Sequence, residues 1–430
     1  MRELNNPSRR RLLGAAAAVS GLGLAGCAAP GVSTGKKKMG RVVVIGGGYG
    51  GATAAKYLQL WSAGGIEVIL IERNREFVSC PMSNLVIGGS RKIDELTRSY
   101  AGLRAAGVTV INDEVTAIDA EKKLVKPRKV ADLSYDRLIV APGIDFQFDA
   151  IQGLNAKAQE TVLHAWRAGP QTTGLRAQLE AMPDGGVAVI AIPRAPYRCP
   201  PGPYERACQI AWYFKNNKPR SKVIILDANE DIQSKKGLFT KVWNEQYKGL
   251  IEYRNNWAVA EVDAATGTLT SDVGDRVRAN VLNVVPPHRA GELAAKAGLI
   301  TTNNRWCDVD WVTMESKARP GIHVLGDATL AAPAMPKSGH MANQHGKTAA
   351  AAIVEILSGR QPAPLMMANT CYSYTDNSHV VHVASVHRYD AERKTMVTVQ
   401  GSGGLSAEPN LMEGAYAWAW AQNIWADMLS

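Results

Sequence analysis

Val42-Val43-Val44-Ile45-Gly46-Gly47-Gly48-Tyr49-Gly50-Gly51 is the stretch that decides how this chain folds. Its first four residues are apolar and β-branched, the pattern of a parallel strand buried on both faces. They run straight into a glycine loop in which each fingerprint position has its own task. Gly46 permits a tight turn, Gly48 lets the backbone approach a pyrophosphate, and Gly51 lets a helix starting near Ala52 lie close on the strand. The helix N-terminus then turns unpaired N–H groups and its positive dipole end toward the phosphates. A second apolar strand, 66–71, ends at Glu72, about where an acid accepting from a ribose hydroxyl is expected. Strand, loop, helix, strand and acid in this order read as a dinucleotide-binding unit.

The surrounding 430 residues, 46% of them hydrophobic, are enough for two or three domains with substantial cores. The formal charge of +10 is unevenly spread. Residues 1–38 hold seven Lys and Arg against one Glu, so only +4 is left for the rest. That body has no Arg-rich helix and no basic run with interleaved aromatics, which argues against nucleic acid and suits an anionic substrate or an acidic protein partner. Residues 1–38 read as a leader and tether: Ser8-Arg9-Arg10-Arg11-Leu12-Leu13 is a twin-arginine region followed by a short apolar run, too short to span a bilayer comfortably. The expected location is the periplasm. Leu24-Ala25-Gly26-Cys27 allows two processing routes, lipidation of Cys27 as a membrane tether or ordinary cleavage that discards it.

A distant second segment turns the dinucleotide reading toward FAD. Pro320-Gly321 leads into Ile322-His323-Val324-Leu325 and ends at Gly326-Asp327, which resembles the second FAD fingerprint of the disulfide-reductase-like flavoproteins. The resemblance implies that Asp327 binds the ribityl chain. The helix after Pro336-Lys337-Ser338-Gly339 would face the flavin pyrimidine edge, so Lys337 is counted among the cofactor residues. Residues 135–143 (YDRLIVAPG) match the strand and glycine turn, with Gly143, that leave the first FAD half in those proteins.

The segment between the two FAD halves lacks what a nicotinamide site needs. Residues 186–192 and 223–227 read as strands of a second βαβ unit, but the connecting loop has no glycine fingerprint. It runs Pro193-Arg194-Ala195-Pro196-Tyr197-Arg198-Cys199-Pro200-Pro201-Gly202-Pro203-Tyr204-Glu205-Arg206. Side chains and repeated prolines stand where a pyrophosphate would lie.

Four runs together carry a more specific resemblance: 199–206 (CPPGPYER), 79–84 (SCPMSN), 369–373 (NTCYS) and 335–339 (MPKSG). From about residue 39 onward the chain resembles the flavoprotein subunit of flavocytochrome c sulfide dehydrogenase. This implies an α/β fold of two Rossmann-like domains, of FAD/NAD(P)-reductase type, plus a smaller α+β C-terminal domain. The expected division is leader and linker 1–38, a split FAD domain 39–150 and 285–365, an inserted NAD-like domain 151–284, and an interface domain 366–430. By the same resemblance Cys80 bonds covalently to FAD, while Cys199 and Cys371 form a redox-active disulfide over the flavin. Pro81 departs from the expected flank and restricts the backbone of Cys80.

The cysteines Cys27, Cys80, Cys199, Cys208, Cys307 and Cys371 show no metal-ligand spacing, and no Cys-x-x-Cys-His occurs, so neither a metal nor a haem of the chain's own is expected. For Cys199 with Cys371 the alternative is a structural staple; buried free thiols are the default for Cys208 and Cys307. Glu205 is either a proton acceptor beside the disulfide or a carboxylate paired with Arg198 or Arg206 at the surface. His340 and His345 form no ligand pattern. Tyr416, Trp418, Trp420 and Trp425 crowd the last helix, where they pack against the FAD domain or shield the flavin and meet a partner.

The expected function is sulfide oxidation through disulfide and FAD, with electrons leaving to a c-type cytochrome subunit. Its competitors are an accessory flavoprotein of a thiosulfate-oxidising system without activity of its own, and a sulfide:quinone-type or NADH-dependent reductase.

Overall fold

The structure, a computed structural model, describes residues 38–430. The leader, the twin-arginine motif and Cys27 lie outside the described residues.

The glycine-loop strand forms as Gly40–Ile45 at the centre of a five-stranded parallel sheet. Across that sheet the order is Ile322–Val324, Arg137–Val140, Gly40–Ile45, Ile66–Glu72 and Thr109–Asn112. Val42, Val43 and Val44 are fully buried, each contributing about 1.5–3 kcal/mol of apolar burial. The strand carrying Ile322, nearly 280 residues on in sequence, completes the same sheet beside Arg137–Val140.

Helix Tyr49–Trp61 begins three residues earlier than the sequence suggests, because Gly48 takes an extended conformation as N-cap and the chain turns directly into the helix. It packs against the long helix Gly339–Leu357. A Cβ on Gly346 would come within 2.5 Å of the Gly50 carbonyl, so the crossing depends on glycine. Both helices thereby bring their N-termini to one end of the sheet.

A second parallel sheet, in the order Ile251–Arg254, Lys222–Asp227, Val187–Ile192 and Val281–Val284, forms the central region. The chain passes to and from it through one antiparallel ladder, Ile144–Phe146 against His288–Ala290. The third unit is an antiparallel sheet, Met367–Tyr374, Val380–Asp390 and Thr395–Thr398 with Gly404–Leu405 at its side, closed by helix Leu411–Leu429. Trp425 is buried in the core that surrounds the five-stranded sheet, Trp418 and Trp420 are half-buried, and Tyr416 is exposed. Among the described residues no helix is long and apolar enough to cross a membrane.

Gly51 shows how tightly the loop is built: a Cβ there would sit 1.9 Å from the Gly46 carbonyl oxygen, a backbone atom that cannot give way. Gly51→Ala is expected to destabilise the protein by about 3 kcal/mol, at the upper end for overpacking. A denaturant melt of purified protein checks this.

Candidate active site

The three loop glycines perform three separable jobs. Gly46 has φ +96°, a conformation that suits glycine, and Gly51 makes the close approach just described. A Cβ on Gly48 would meet nothing within 4 Å, because that face opens into a cavity of about 820 Å³. The wall of this cavity includes Gly46, Gly48, Glu72, Cys80, Gly143 and Asp327. Two halves of the chain therefore supply one cleft.

An orphaned acceptor marks what the cleft is for. The Oδ1 of Asp327 is buried without a hydrogen-bond partner, and its Oδ2 lies 3.9 Å from the Arg198 guanidinium. Burial raises the carboxyl pKa, with Arg198 and Lys337 pulling the other way. A buried acceptor left unmatched is costly unless a ligand donates to it, as the hydroxyls of a ribityl chain would. Glu72 lines the same wall, its Oε2 accepting from Gly47 N at 2.6 Å and its Oε1 from Asn74. The carboxylate thus holds the glycine loop in shape while facing the cavity. A dinucleotide flavin fits this donor and acceptor set.

Lys337 requires a correction. Its ammonium does not reach the cavity wall; it donates to the carbonyls of Asp327 and Thr329 and lies 3.7 Å from the centre of the Trp306 ring. Burial lowers its pKa to about 8. It braces the Asp327 turn from behind, and the cation–π contact with Trp306 turns its side chain away from the cavity.

Cys80 sits on the cavity wall in a loop held from several sides. Its thiol lies 3.8 Å from the Trp166 carbonyl. Ser79 Oγ donates to Pro81 O at 2.7 Å and accepts from the Tyr49 hydroxyl at 2.7 Å, and Trp425 Nε1 donates to that hydroxyl at 3.0 Å. The last helix is thereby tied to the residues flanking Cys80.

Cys199 follows Arg198, itself on the cavity wall, and takes φ +58°, unusual for a residue with a Cβ. Its N–H donates to Lys337 O at 2.8 Å and its thiol packs on Gly202, at the start of helix Gly202–Asn217. Burial pushes its pKa up to about 12, helped by the charges of Cys371 and Glu205. Cys371 comes from strand Met367–Tyr374, with Asn369 Nδ2 3.5 Å from its sulfur. Cys80, Cys199, Cys208, Cys307 and Cys371 are all thiols in this structure.

Glu205 is buried, not at the surface, and is not paired with either arginine. Its Oε1 accepts from Tyr374 N at 2.9 Å and its Oε2 from Asn84 Nδ2 at 2.8 Å. Burial raises its pKa. Arg206 instead donates to Asn84 Oδ1, Asn283 Oδ1 and the carbonyls of His164 and Ala165. His340 and His345 accept from the N–H groups of Thr370 and Gly326, so both are packing partners. Among the described residues no His, Cys, Asp and Glu cluster could hold a metal.

Two features had no signal in the sequence. Lys235, in the unremarkable run Ser234-Lys235-Lys236-Gly237, places a buried ammonium on Cys371 O and Ser373 Oγ, both at 2.7 Å. Burial lowers its pKa to about 8. In the central sheet, Asp227 ends the strand where a nicotinamide cofactor's ribose acid would be sought, but its oxygens are already occupied. Tyr204 and Tyr253 donate to Oδ2 at 2.7 and 3.1 Å, and Asn229 donates to Oδ1.

Three family models match the chain. Residues 172–286 match the central region of the sulfide dehydrogenase [flavocytochrome c] flavoprotein chain, 362–429 match the flavocytochrome c sulphide dehydrogenase flavin-binding family, and 40–190 match pyridine nucleotide-disulphide oxidoreductases. A 46-residue stretch is 54% identical to the sulfide dehydrogenase [flavocytochrome c] flavoprotein chain of Chlorobaculum thiosulfatiphilum, covering 11% of this chain and 94% of that one. The chain belongs to the flavocytochrome c sulfide dehydrogenase flavoprotein family. Other similarities of this family member lie with sulfide:quinone oxidoreductases. The mouse mitochondrial protein is 24% identical over 307 residues, 67% of this chain and 65% of its own length, so the chain spans just under two thirds of that relative. The sulfide:quinone oxidoreductase of Aquifex aeolicus superposes with a TM-score of 0.72 at 20% identity, covering 90% of this chain and 91% of that one. The α/β fold of this flavocytochrome c family member is thus that of flavin-dependent, disulfide-reductase-type oxidoreductases.

Proposed function

We propose that the chain oxidises sulfide through a Cys199–Cys371 disulfide and FAD and passes the electrons to a c-type cytochrome. The observation that carries this is one convergence. Cys199, which directly follows Arg198 on the cavity wall, and Cys371, 172 positions on in sequence, come within electrostatic reach of each other and of Glu205 and Lys235, whose ammonium holds the Cys371 carbonyl. Bound in that cavity, FAD supplies an acceptor that takes electrons in a pair and can return them singly. Hydrosulfide attacks Cys199, which keeps the incoming sulfur as a persulfide, and Cys371 leaves as the thiolate. Arg198 and Lys235 make the approach attractive to an anion.

Glu205 is the proton acceptor in this reading, taking the proton that hydrogen sulfide loses to become the attacking hydrosulfide. Its raised pKa keeps part of the carboxyl protonated at the acid end, so activity should rise with pH as the carboxylate forms. Glu205→Gln is expected to slow flavin reduction by sulfide about a hundredfold and to flatten that limb of the pH profile. Stopped-flow rates across pH measure both.

Nicotinamide is disfavoured as acceptor because Asp227 is satisfied from within. A quinone is the second reading, favoured by the exposed Leu411, Met412 and Tyr416 on the last helix and by the sulfide:quinone relatives. In keeping with the twin-arginine leader, the proposed setting is the periplasm, with Cys27 as tether where it is lipidated. Anaerobic sulfide added to purified protein should bleach the flavin, and cytochrome c should then be reduced, with no NADH formed. An unchanged flavin spectrum would support the accessory role, and turnover with quinone alone would replace the cytochrome.

A further inference from the structure

The geometry points to Lys235 as the counter-ion of the Cys371 thiolate, a positioning residue that decides which of the two cysteines carries the negative charge once their disulfide is opened. This rests on the disulfide reading above. Lys235 precedes helix Lys236–Glu245 with φ +58°, a left-handed conformation that residues with a Cβ seldom take. That turn sends the side chain across to the C-terminal sheet. There Nζ donates to Cys371 O at 2.7 Å, Ser373 Oγ at 2.7 Å and Val381 O at 3.4 Å.

None of those three acceptors is charged, yet the residue is only 5% exposed. A buried ammonium held by neutral groups alone is poorly compensated, and a nearby anion is what it lacks. The groups within its electrostatic reach are Cys371 on the strand that holds it, Cys199 on the loop before helix Gly202–Asn217, Glu205 on that helix and Glu413 on the last helix. Glu413 is already engaged, with His382, Ser406 and Asn410. Glu205 is occupied by Tyr374 N and Asn84, and burial favours its neutral form. Cys199 is disfavoured as a thiolate by its own burial. Cys371, whose carbonyl the ammonium already grips, is the anion that remains.

The chemical step balances on this assignment. The hydrosulfide electron pair forms a new S–S bond to Cys199, the Cys199–Cys371 bond breaks, and its electron pair stays on Cys371. The hydrosulfide proton stays on the terminal sulfur of the persulfide. A leaving thiolate stabilised by a fixed positive charge departs faster. Lys235 loses its proton as pH rises past about 8, so this help fades above that pH.

The test uses dithiothreitol-reduced holoenzyme, iodoacetamide and peptide mass spectrometry, with alkylation rates of Cys371 and Cys199 followed against pH. In the wild type the Cys371 rate should begin to climb at lower pH than that of Cys199. Lys235→Met should cut Cys371 alkylation at pH 7 about tenfold, the effect of one pH unit on a thiolate fraction, and change Cys199 less. Lys235→Arg should restore it and keep it above pH 8. If Cys199 reacts at the lower pH in the wild type, the assignment is overturned without need of any variant. An unmoved Cys371 curve in Lys235→Met overturns it as well. Failure of sulfide to bleach the flavin while the Cys371 curve shifts would sink the sulfide reading and leave the ion pair standing.

Discussion

Cys199→Ser and Cys371→Ser are each expected to abolish flavin bleaching by sulfide, a fall of at least about a thousandfold, while the protein still binds FAD. The argument is chemical before it is structural. A serine oxygen cannot share an S–S bond, so either change removes the electrophile that hydrosulfide attacks. Neither cysteine is on the wall of the dinucleotide cavity, whose contacts come from Gly46, Gly48, Glu72 and Asp327, so flavin content should survive. Because the two sulfurs act as one unit, the double variant should be no slower than either single one. Rapid-mixing spectra in anaerobic sulfide measure this. A single variant that keeps more than a tenth of the wild-type rate would mean that the thiols are a staple or bystanders.

Flavin retention is the second large effect. Acid-precipitated wild-type protein should stay yellow, and Cys80→Ala should release its flavin entirely into the supernatant. The thiol lines the cavity wall, and the residues on both sides of it are held by the chain of hydrogen bonds from Trp425 through Tyr49 and Ser79 to Pro81. Proline after Cys80, the departure from the expected flank, restricts that cysteine's backbone. If the wild-type flavin is already lost on acid treatment, Cys80 serves only as part of the wall.

What could be read from the sequence is what short stretches encode. Val42 to Gly51 contains its own strand, turn and helix start, and each glycine's task follows from local sterics; Asp327 was legible because a strand ending in Gly-Asp is also a local pattern. The helix starts three residues before the position the loop pattern predicts because Gly48 lets the turn pass straight into helical geometry. The position of Lys337 before a helix points to the flavin, but the direction of a long side chain depends on Trp306, thirty-one residues away. Glu205 and Lys235 were harder still. Whether a carboxylate is paired at the surface or buried among neutral donors is settled by Asn84 and Tyr374, and a lysine in a polar run acquires its role only when the C-terminal sheet closes over it. Such groups are defined by tertiary packing, which no spacing rule records.

The internally satisfied Asp227 has a thermodynamic consequence. A domain that binds a nucleotide in its native state alone borrows stability from it, about 2.7 kcal/mol when the nucleotide stands at a hundred times its Kd. Here Tyr204, Tyr253 and Asn229 supply the donors that a ligand would meet, so the central sheet carries that support as part of its own covalent chain. Its melting should be indifferent to added NADH or NADPH, and the domain keeps its shape wherever nicotinamide nucleotides are scarce.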